Sequence, residues 1–244
     1  MKEVCIMLFV ALLPVAVLLF YIYGKDRVKP EPVGQLVKAF GLGVVSTFVS
    51  LAISLPLGML GLFPGEAQTF LDSVKISFLG AAFPEEVAKF AMLWLALRNN
   101  RWFDEKMDGI VYAVCVSMGF AALENVMYVF QNEDFVSVAI LRAFTALPGH
   151  FCFGILMGYY YSLARFYHYG SRRNMLLALV APIVAHGIYD SLLFAMSVSS
   201  SSALVSVVLM VVLVFFCFKL WSRSSRSIHE HLMRDKDTEI LDNF

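Results

Sequence analysis

Seven ionisable side chains interrupt the longest apolar stretches of this chain: Glu85, Glu86, Lys89, Glu124, His150, His186 and Asp190. An Asp, Lys or Arg at the centre of a helix in hydrocarbon costs about 2.5–3.5 kcal/mol on insertion scales, so a sequence that keeps several is expected to use them. Their types suit proton transfer, metal coordination or a proton relay. Spacing along a helix then groups them. Glu85 and Lys89 stand at i and i+4 with the acid first, the better orientation for a helical ion pair, and Glu86 is three residues from the same lysine. The lysine can hold one glutamate while its neighbour, about 100° around the helix, points elsewhere. His186 and Asp190 are also i and i+4, as an imidazole and its orienting carboxylate would be, or two groups facing one bound species. Phe120 and Glu124 share a face, and Asn125 beside them offers a neutral donor.

The elements that must carry these residues are membrane helices. Of 244 residues, 59% are hydrophobic and only 16% charged, and the mean hydropathy is +0.73, too apolar for a soluble domain of this size. Apolar spans fall at 4–24, 37–63, 71–97, 108–131, 137–165, 175–196 and 203–221, which predicts an all-α polytopic protein of about seven transmembrane helices. The expected organisation is one transmembrane domain over 1–221, its polar site among helices 3 to 6 (core about 71–196), and a short solvated tail over 222–244. No soluble catalytic module is present, so any chemistry must lie in the bilayer or at its edge. The first span is read as a retained helix rather than a signal peptide, because its basic residues follow the apolar run and no small-residue cleavage site precedes them.

Charge sets the expected orientation. Lys25, Arg27, Lys29 and Lys38 follow the first span, Arg98, Arg101 and Lys106 the third, Arg165, Arg172 and Arg173 the fifth, and Lys219, Arg223, Arg226, Arg234 and Lys236 the seventh. The alternate segments hold only Glu66, Glu133 and Asp134, which predicts an external N-terminus and a cytoplasmic C-terminus. Counted at about 1.5 Å per residue, the polar groups of four successive helices lie at similar depth, near the midplane or somewhat toward the outer side. One shared site is the economical reading. Pro84, Pro148 with Gly149, and Pro182 accompany these groups, and in a membrane helix such interruptions are tolerated beside a cavity or packed protein, which suggests a water-accessible pocket.

Other features read more plainly. The four cysteines, Cys5, Cys115, Cys152 and Cys217, lie singly in apolar runs and read as core residues without a disulfide. Gly154 and Gly158 form a GxxxG read as ordinary helix packing rather than a dimer interface. Asp72, Lys75 and Arg142 lie near outer helix ends and are expected to snorkel to the interface. His229 and His231 are read as part of the solvated tail.

Four motifs in order now carry a resemblance. PEEVAKF holds EExxxK at Glu85, Glu86 and Lys89; FAALEN holds FxxxE at Phe120 and Glu124; HFCFGILMGY holds HxxxGxxxGY from His150 to Tyr159; HGIYD holds HxxxD at His186 and Asp190. Together they resemble the PrsW family of bacterial intramembrane proteases, distantly related to type II CAAX prenyl proteases and bacteriocin-processing homologues. The resemblance covers about Glu85 to Asp190. It implies peptide-bond hydrolysis in the bacterial cell membrane, with the first (site-1) cut in a membrane-spanning anti-sigma factor on the extracytoplasmic side and release of a sigma factor for envelope stress. It implies a membrane-anchored protein partner and the lipid bilayer, and no nucleic acid. CAAX-type relatives place a histidine where this chain has Glu124, so their detailed mechanism does not transfer directly.

Amide hydrolysis needs an activated water, a stabilised oxyanion and an acid for the leaving amine. Ser191 points about 100° from Asp190, and Cys152 lies on another side of its helix from His150, which disfavours either as nucleophile. Two routes stay open. In one, Glu85 or Glu86 is a general base, His150 or His186 polarises the carbonyl or protonates the amine, and Asn125 with the His186/Asp190 pair helps hold the oxyanion. In the other, Glu124, His150 and His186 bind Zn²⁺, Glu85 or Glu86 deprotonates its water, and Asp190 is a further ligand or orienter. Lys89 is the counter-charge of the glutamate pair in both. The alternative from another class is a proton-coupled transporter using the same groups as a relay. Against it, the helices divide into no repeated halves.

Overall fold

The computed structural model describes residues 2–26, 29–198 and 203–242, with side chains described as far as 237. Arg27, residues 199–202 of the last connecting segment and the final residues 243–244 lie outside them. Every regular element among the described residues is helical: α1 (Lys2–Tyr23), α2 (Val33–Met59), α3 (Phe70–Lys75), a π-helical segment (Ile76–Ala82), α4 (Phe83–Leu97), α5 (Lys106–Phe130), α6 (Phe135–Phe144), α7 (Ala146–Phe166), α8 (Ser171–Val198) and α9 (Ala203–Asp242).

Six stretches are long and apolar enough to cross a membrane, α6 and α7 counting together as one. The third expected span is present as the unbroken helical run from α3 through the π segment to α4. Residues 70–97 of this run extend about 42 Å at 1.5 Å per residue, ample for the hydrocarbon core. The chain is an all-α, multi-pass membrane protein.

Sequence explains where the helices begin and bend. Thr69 caps α3, its hydroxyl accepting from the Asp72 amide at 3.2 Å while the Asp72 carboxylate accepts from the Thr69 amide at 3.0 Å. Pro84 lacks an N–H and crowds the carbonyl four residues back. The chain absorbs this by widening into the π turn just before Pro84, with the Phe83 amide reaching back five residues to Phe78, rather than by breaking. The fifth expected span does break: at Thr145, with φ −122° and ψ −76°, it divides into α6 and α7 just ahead of Pro148.

α5 is the axis of the bundle, buried along most of its length from Met107 to Ala122. Neighbours come close because the crossings are built of glycine. A Cβ on Gly43 of α2 would sit 2.0 Å from the Val116 carbonyl oxygen of α5, and one on Gly158 of α7 would sit 2.3 Å from that of Gly109. Gly154 likewise rests against Ser117, so the GxxxG is an intramolecular seam. By contrast α1, α2 and the first half of α9 leave large apolar side chains such as Phe20, Phe48 and Phe215 exposed, as lipid-facing helices do.

The tail corrects an expectation. α9 contains neither Gly nor Pro and runs through the 221/222 boundary without interruption. Its second half is amphipathic rather than wholly solvated: Leu220, Ser224, Ser227, Ile228, His231 and Asp235, spaced at helical intervals, are buried, while Ser225, Arg226 and His229 stay exposed. His231 stacks on Tyr159 with ring centroids 4.5 Å apart. Asp235 accepts from the Lys106 and Met107 amides at 2.9 and 2.8 Å, so the C-terminal helix caps the start of α5. Beside that cap Asp26, Glu31, Glu105 and Asp108 are also buried. Burial, with repulsion from neighbouring acids, raises the carboxyl of Asp26 to about 6 and those of Glu31 and Glu105 to about 7.

Candidate active site

The residues of the four motifs converge. Glu85, Glu86 and Lys89 come from the first turns of α4, Glu124 from α5, His150 from α7, and His186 and Asp190 from α8. The Lys89 ammonium lies 2.8 Å from Glu86 Oε1, 3.5 Å from Glu85 Oε2 and 3.1 Å from His150 Nδ1. It also sits 4.1 Å over the Phe120 ring, which explains the aromatic of FxxxE as a cation–π floor.

The two imidazoles are oriented alike. Nδ1 of His150 faces Lys89, and its Nε2 lies 3.0 Å from Glu124 Oε2. Nδ1 of His186 lies 2.9 Å from Glu86 Oε1, and its Nε2 lies 3.2 Å from Asp190 Oδ2. Each ring thus turns one nitrogen to the centre and sets the other on a carboxylate behind it, the arrangement that fixes tautomer and direction in metal-ligating histidines. Phe153 stacks on His186 at 4.7 Å and 18°, holding the ring plane.

The two glutamates of the pair differ in access. Glu86 is fully buried between Lys89 and His186, whereas the Glu85 side chain is 15% exposed and lines a cavity of about 400 Å³. Glu124, Arg142, His150, His186 and Asp190 share that lining, and Tyr128, Asn132, Val138 and Leu141 line it as well. The expected pocket therefore exists, with acid, imidazole and guanidinium groups on its wall.

Two sequence expectations are corrected here. Asn125 does not face the cavity: it is wholly buried, its amide nitrogen donates to the Ala11 carbonyl of α1 at 2.7 Å, and its oxygen accepts from Arg142 Nε at 2.7 Å. Both ends are committed, so it positions Arg142 and is no oxyanion donor. Arg142 itself does not snorkel. The break at Thr145 lets the short α6 return toward the bundle, and the guanidinium lies 2.5 Å from Glu124 Oε2 and 4.0 Å from the centre of the Tyr128 ring. Sequence reasoning missed it because an arginine near a helix end ordinarily reaches for water. The available signal was charge: four acids at depth faced one lysine. Ser191 and Cys152 are absent from the cavity wall, and the Ser191 hydroxyl donates to the Gly187 carbonyl at 2.6 Å.

The metal expectation also shifts. Glu85, Glu86, His150 and His186 can each offer one donor atom, all within 4.8 Å of one another. Glu124, expected as a ligand, stands outside this group because Arg142 and His150 Nε2 share its Oε2. With neutral histidines, Glu85, Glu86, Glu124 and Asp190 outweigh Lys89 and Arg142 by two negative charges. Glu86 Oε2 is buried without a hydrogen-bond partner. Two imidazoles with carboxylates, a surplus matching a divalent ion and an orphaned oxygen are together a donor set that fits a metal such as Zn²⁺ once the Lys89 ammonium yields His150 Nδ1 to it.

A sequence profile described as PrsW family intramembrane metalloprotease matches residues 31–217. The chain belongs to the PrsW family. Among relatives named Protease PrsW, that of Bacillus subtilis is 38% identical over 185 residues, covering 75% of this chain and 81% of its own length. That of Geobacillus kaustophilus is 35% identical over 182 residues, with 75% and 77% covered, and that of Clostridioides difficile 33% over 187, also with 75% and 77% covered. No solved structure matches. As a PrsW family member the protein is a peptide hydrolase that works within the membrane. The likeness reaches well beyond the four motif helices, back to the start of α2 and forward into α9. No observation favours the proton-coupled carrier.

Proposed function

We propose that the protein cuts a single-span membrane protein, an anti-sigma factor of a bacterial inner membrane, at the outer side of the bilayer, with Glu85 as the base that activates water. The observation that carries the reading is the division of the glutamate pair: Glu85 borders the cavity, while Glu86 is sealed between Lys89 and His186. Glu85 accepts a proton from water as the hydroxide oxygen bonds to the scissile carbonyl carbon. The C–N bond then breaks, and Glu85 returns the proton to the departing amine. Arg142, on the cavity wall, supplies positive charge to the developing oxyanion. The family description implies a metal; a divalent ion such as Zn²⁺ would be held by His150, His186 and Glu86 and would contribute Lewis-acid activation of the water. Glu124 and Asp190 then serve as orienters of the two rings.

Outer-side cleavage is supported by where the cavity lies. Asn132 and Val138, on its wall, belong to the end of the bundle remote from the basic segments, which the positive-inside rule makes extracytoplasmic. The same rule gives an external N-terminus and a cytoplasmic C-terminus. The anti-sigma substrate rests on the family resemblance. The test is reconstitution of the purified chain in liposomes with a single-span anti-sigma factor and an unrelated single-span protein, with metal content measured before and after chelation. Cleavage of the first alone, lost in Glu85→Gln, is the expected result. Undiminished cleavage by Glu85→Gln overturns the assignment of the base, and equal cleavage of both proteins overturns the substrate.

A further inference from the structure

The strongest unexplained chemistry lies at the other end of α5. Asp26, from the segment after α1, and Glu105 and Asp108, at the start of α5, each bring a carboxylate oxygen within 4.8 Å of the others. All three are buried, at 3%, 6% and 0% exposure. Glu31 and Asp235 are buried beside them, and the Tyr112 hydroxyl donates to Glu31. Backbone groups satisfy part of this set: Asp26 Oδ2 accepts from the Glu31 amide at 3.3 Å, and Asp108 Oδ2 from the Asp104 and Glu105 amides at 3.0 and 2.6 Å. Two oxygens are left over. Glu105 Oε2 and Asp108 Oδ1 are buried and accept from no donor, and the Asp108 side chain lies against the Glu31 carboxyl.

Positive charge nearby is thin. Lys29 is 59% exposed and only 3.9 Å from Glu105, and Lys106 is engaged with Asp235 at 3.2 Å. Five buried acids outnumber Lys29 and Lys106, so their charge needs compensation, by a cation or by protons.

We propose that Asp26, Glu105 and Asp108 form a second cation site, for a hard divalent ion of the Mg²⁺/Ca²⁺ class, at the basic end of the bundle. The donors are all oxygen, without Cys or His, which selects hard ions and sets this site apart from the imidazole-bearing centre. On α5, Asp108 is separated from Glu124 by 16 residues, about 24 Å along the helix. An ion here would tie the segment before α2 to the start of α5, next to the cap that Asp235 places from α9.

Mn²⁺, counted by its paramagnetic resonance, is the probe, used on the purified full chain in nanodiscs. Glu86→Gln removes a donor of the catalytic cluster and serves as the background, with cooperative thermal unfolding confirming that it stays folded. The expected result is one Mn²⁺ bound within about 1 mM, the weak end of carboxylate sites. Mg²⁺ or Ca²⁺ should displace it, and adding Asp108→Asn should weaken it at least about tenfold. If Asp108→Asn does not fold, Glu105→Gln in the same background carries the comparison. No bound Mn²⁺ in Glu86→Gln, or one indifferent to both carboxamides, overturns the proposal, the surplus then being neutralised by protons.

Discussion

Two acid-rich clusters hang on one helix and are solved differently. At the Glu124 level each carboxylate meets a side chain, Lys89, Arg142 or an imidazole, and the backbone contributes little. At the Asp108 level the carboxylates meet chiefly backbone amides at the start of a helix, and oxygens remain unpaired. The difference follows from depth. In mid-membrane every helical amide is already spent, so charge can be answered only by opposite charge from another helix. At a helix start free amides are available, so acids can gather with few side-chain cations. The first solution places reactive groups against a cavity; the second fastens elements together.

The largest expected effect separates the neighbours within the deeper cluster. Glu85→Gln should lower cleavage about 10²- to 10⁴-fold, the range of a lost general base, while thermal unfolding changes little, because its contact with Lys89 is long and it borders the cavity. Glu86→Gln should abolish cleavage and also destabilise the fold by about 3–5 kcal/mol, since it leaves the buried Lys89 without its 2.8 Å partner. Equal stability losses in the two variants would erase the distinction on which the base is assigned.

Next come the groups behind the imidazoles. Asp190→Asn and Glu124→Gln should each cost about 10- to 100-fold in kcat/KM, as removal of an orienting carboxylate does. Arg142→Met should cost at least as much as Glu124→Gln, because it removes the partner that holds Glu124 on His150 and also the positive charge beside the oxyanion. Measured kcat/KM for the three decides it: an unaffected Arg142→Met would return that residue to the membrane interface.

How much of this was legible follows from the same physics. Glu85, Glu86, Lys89, Glu124, His150, His186 and Asp190 stood out because each is costly at hydrocarbon depth; helical phase predicted the His186–Asp190 pair and put both glutamates in reach of Lys89, without showing that Glu86 makes the closer contact. Arg142 was illegible because its meaning depends on the break at Thr145, a tertiary event, and Asn125 because its direction depends on where α1 docks. The π segment was visible only as a proline problem without its solution. The docked end of α9 was missed because a charged, serine-rich stretch looks solvated until its buried stripe is set against Tyr159 and the start of α5.

The smallest effect probes the fastening cluster. Asp235→Ala removes the carboxylate that accepts from the Lys106 and Met107 amides, so it should cost about 1 kcal/mol, the value of a helix cap. The loss should appear as faster tryptic cutting at Arg223 and Arg226, with kcat/KM for the substrate unchanged. If Asp235→Ala instead slowed cleavage as strongly as Asp190→Asn, the two clusters would be coupled along α5, and the division between reactive and fastening acids would fail.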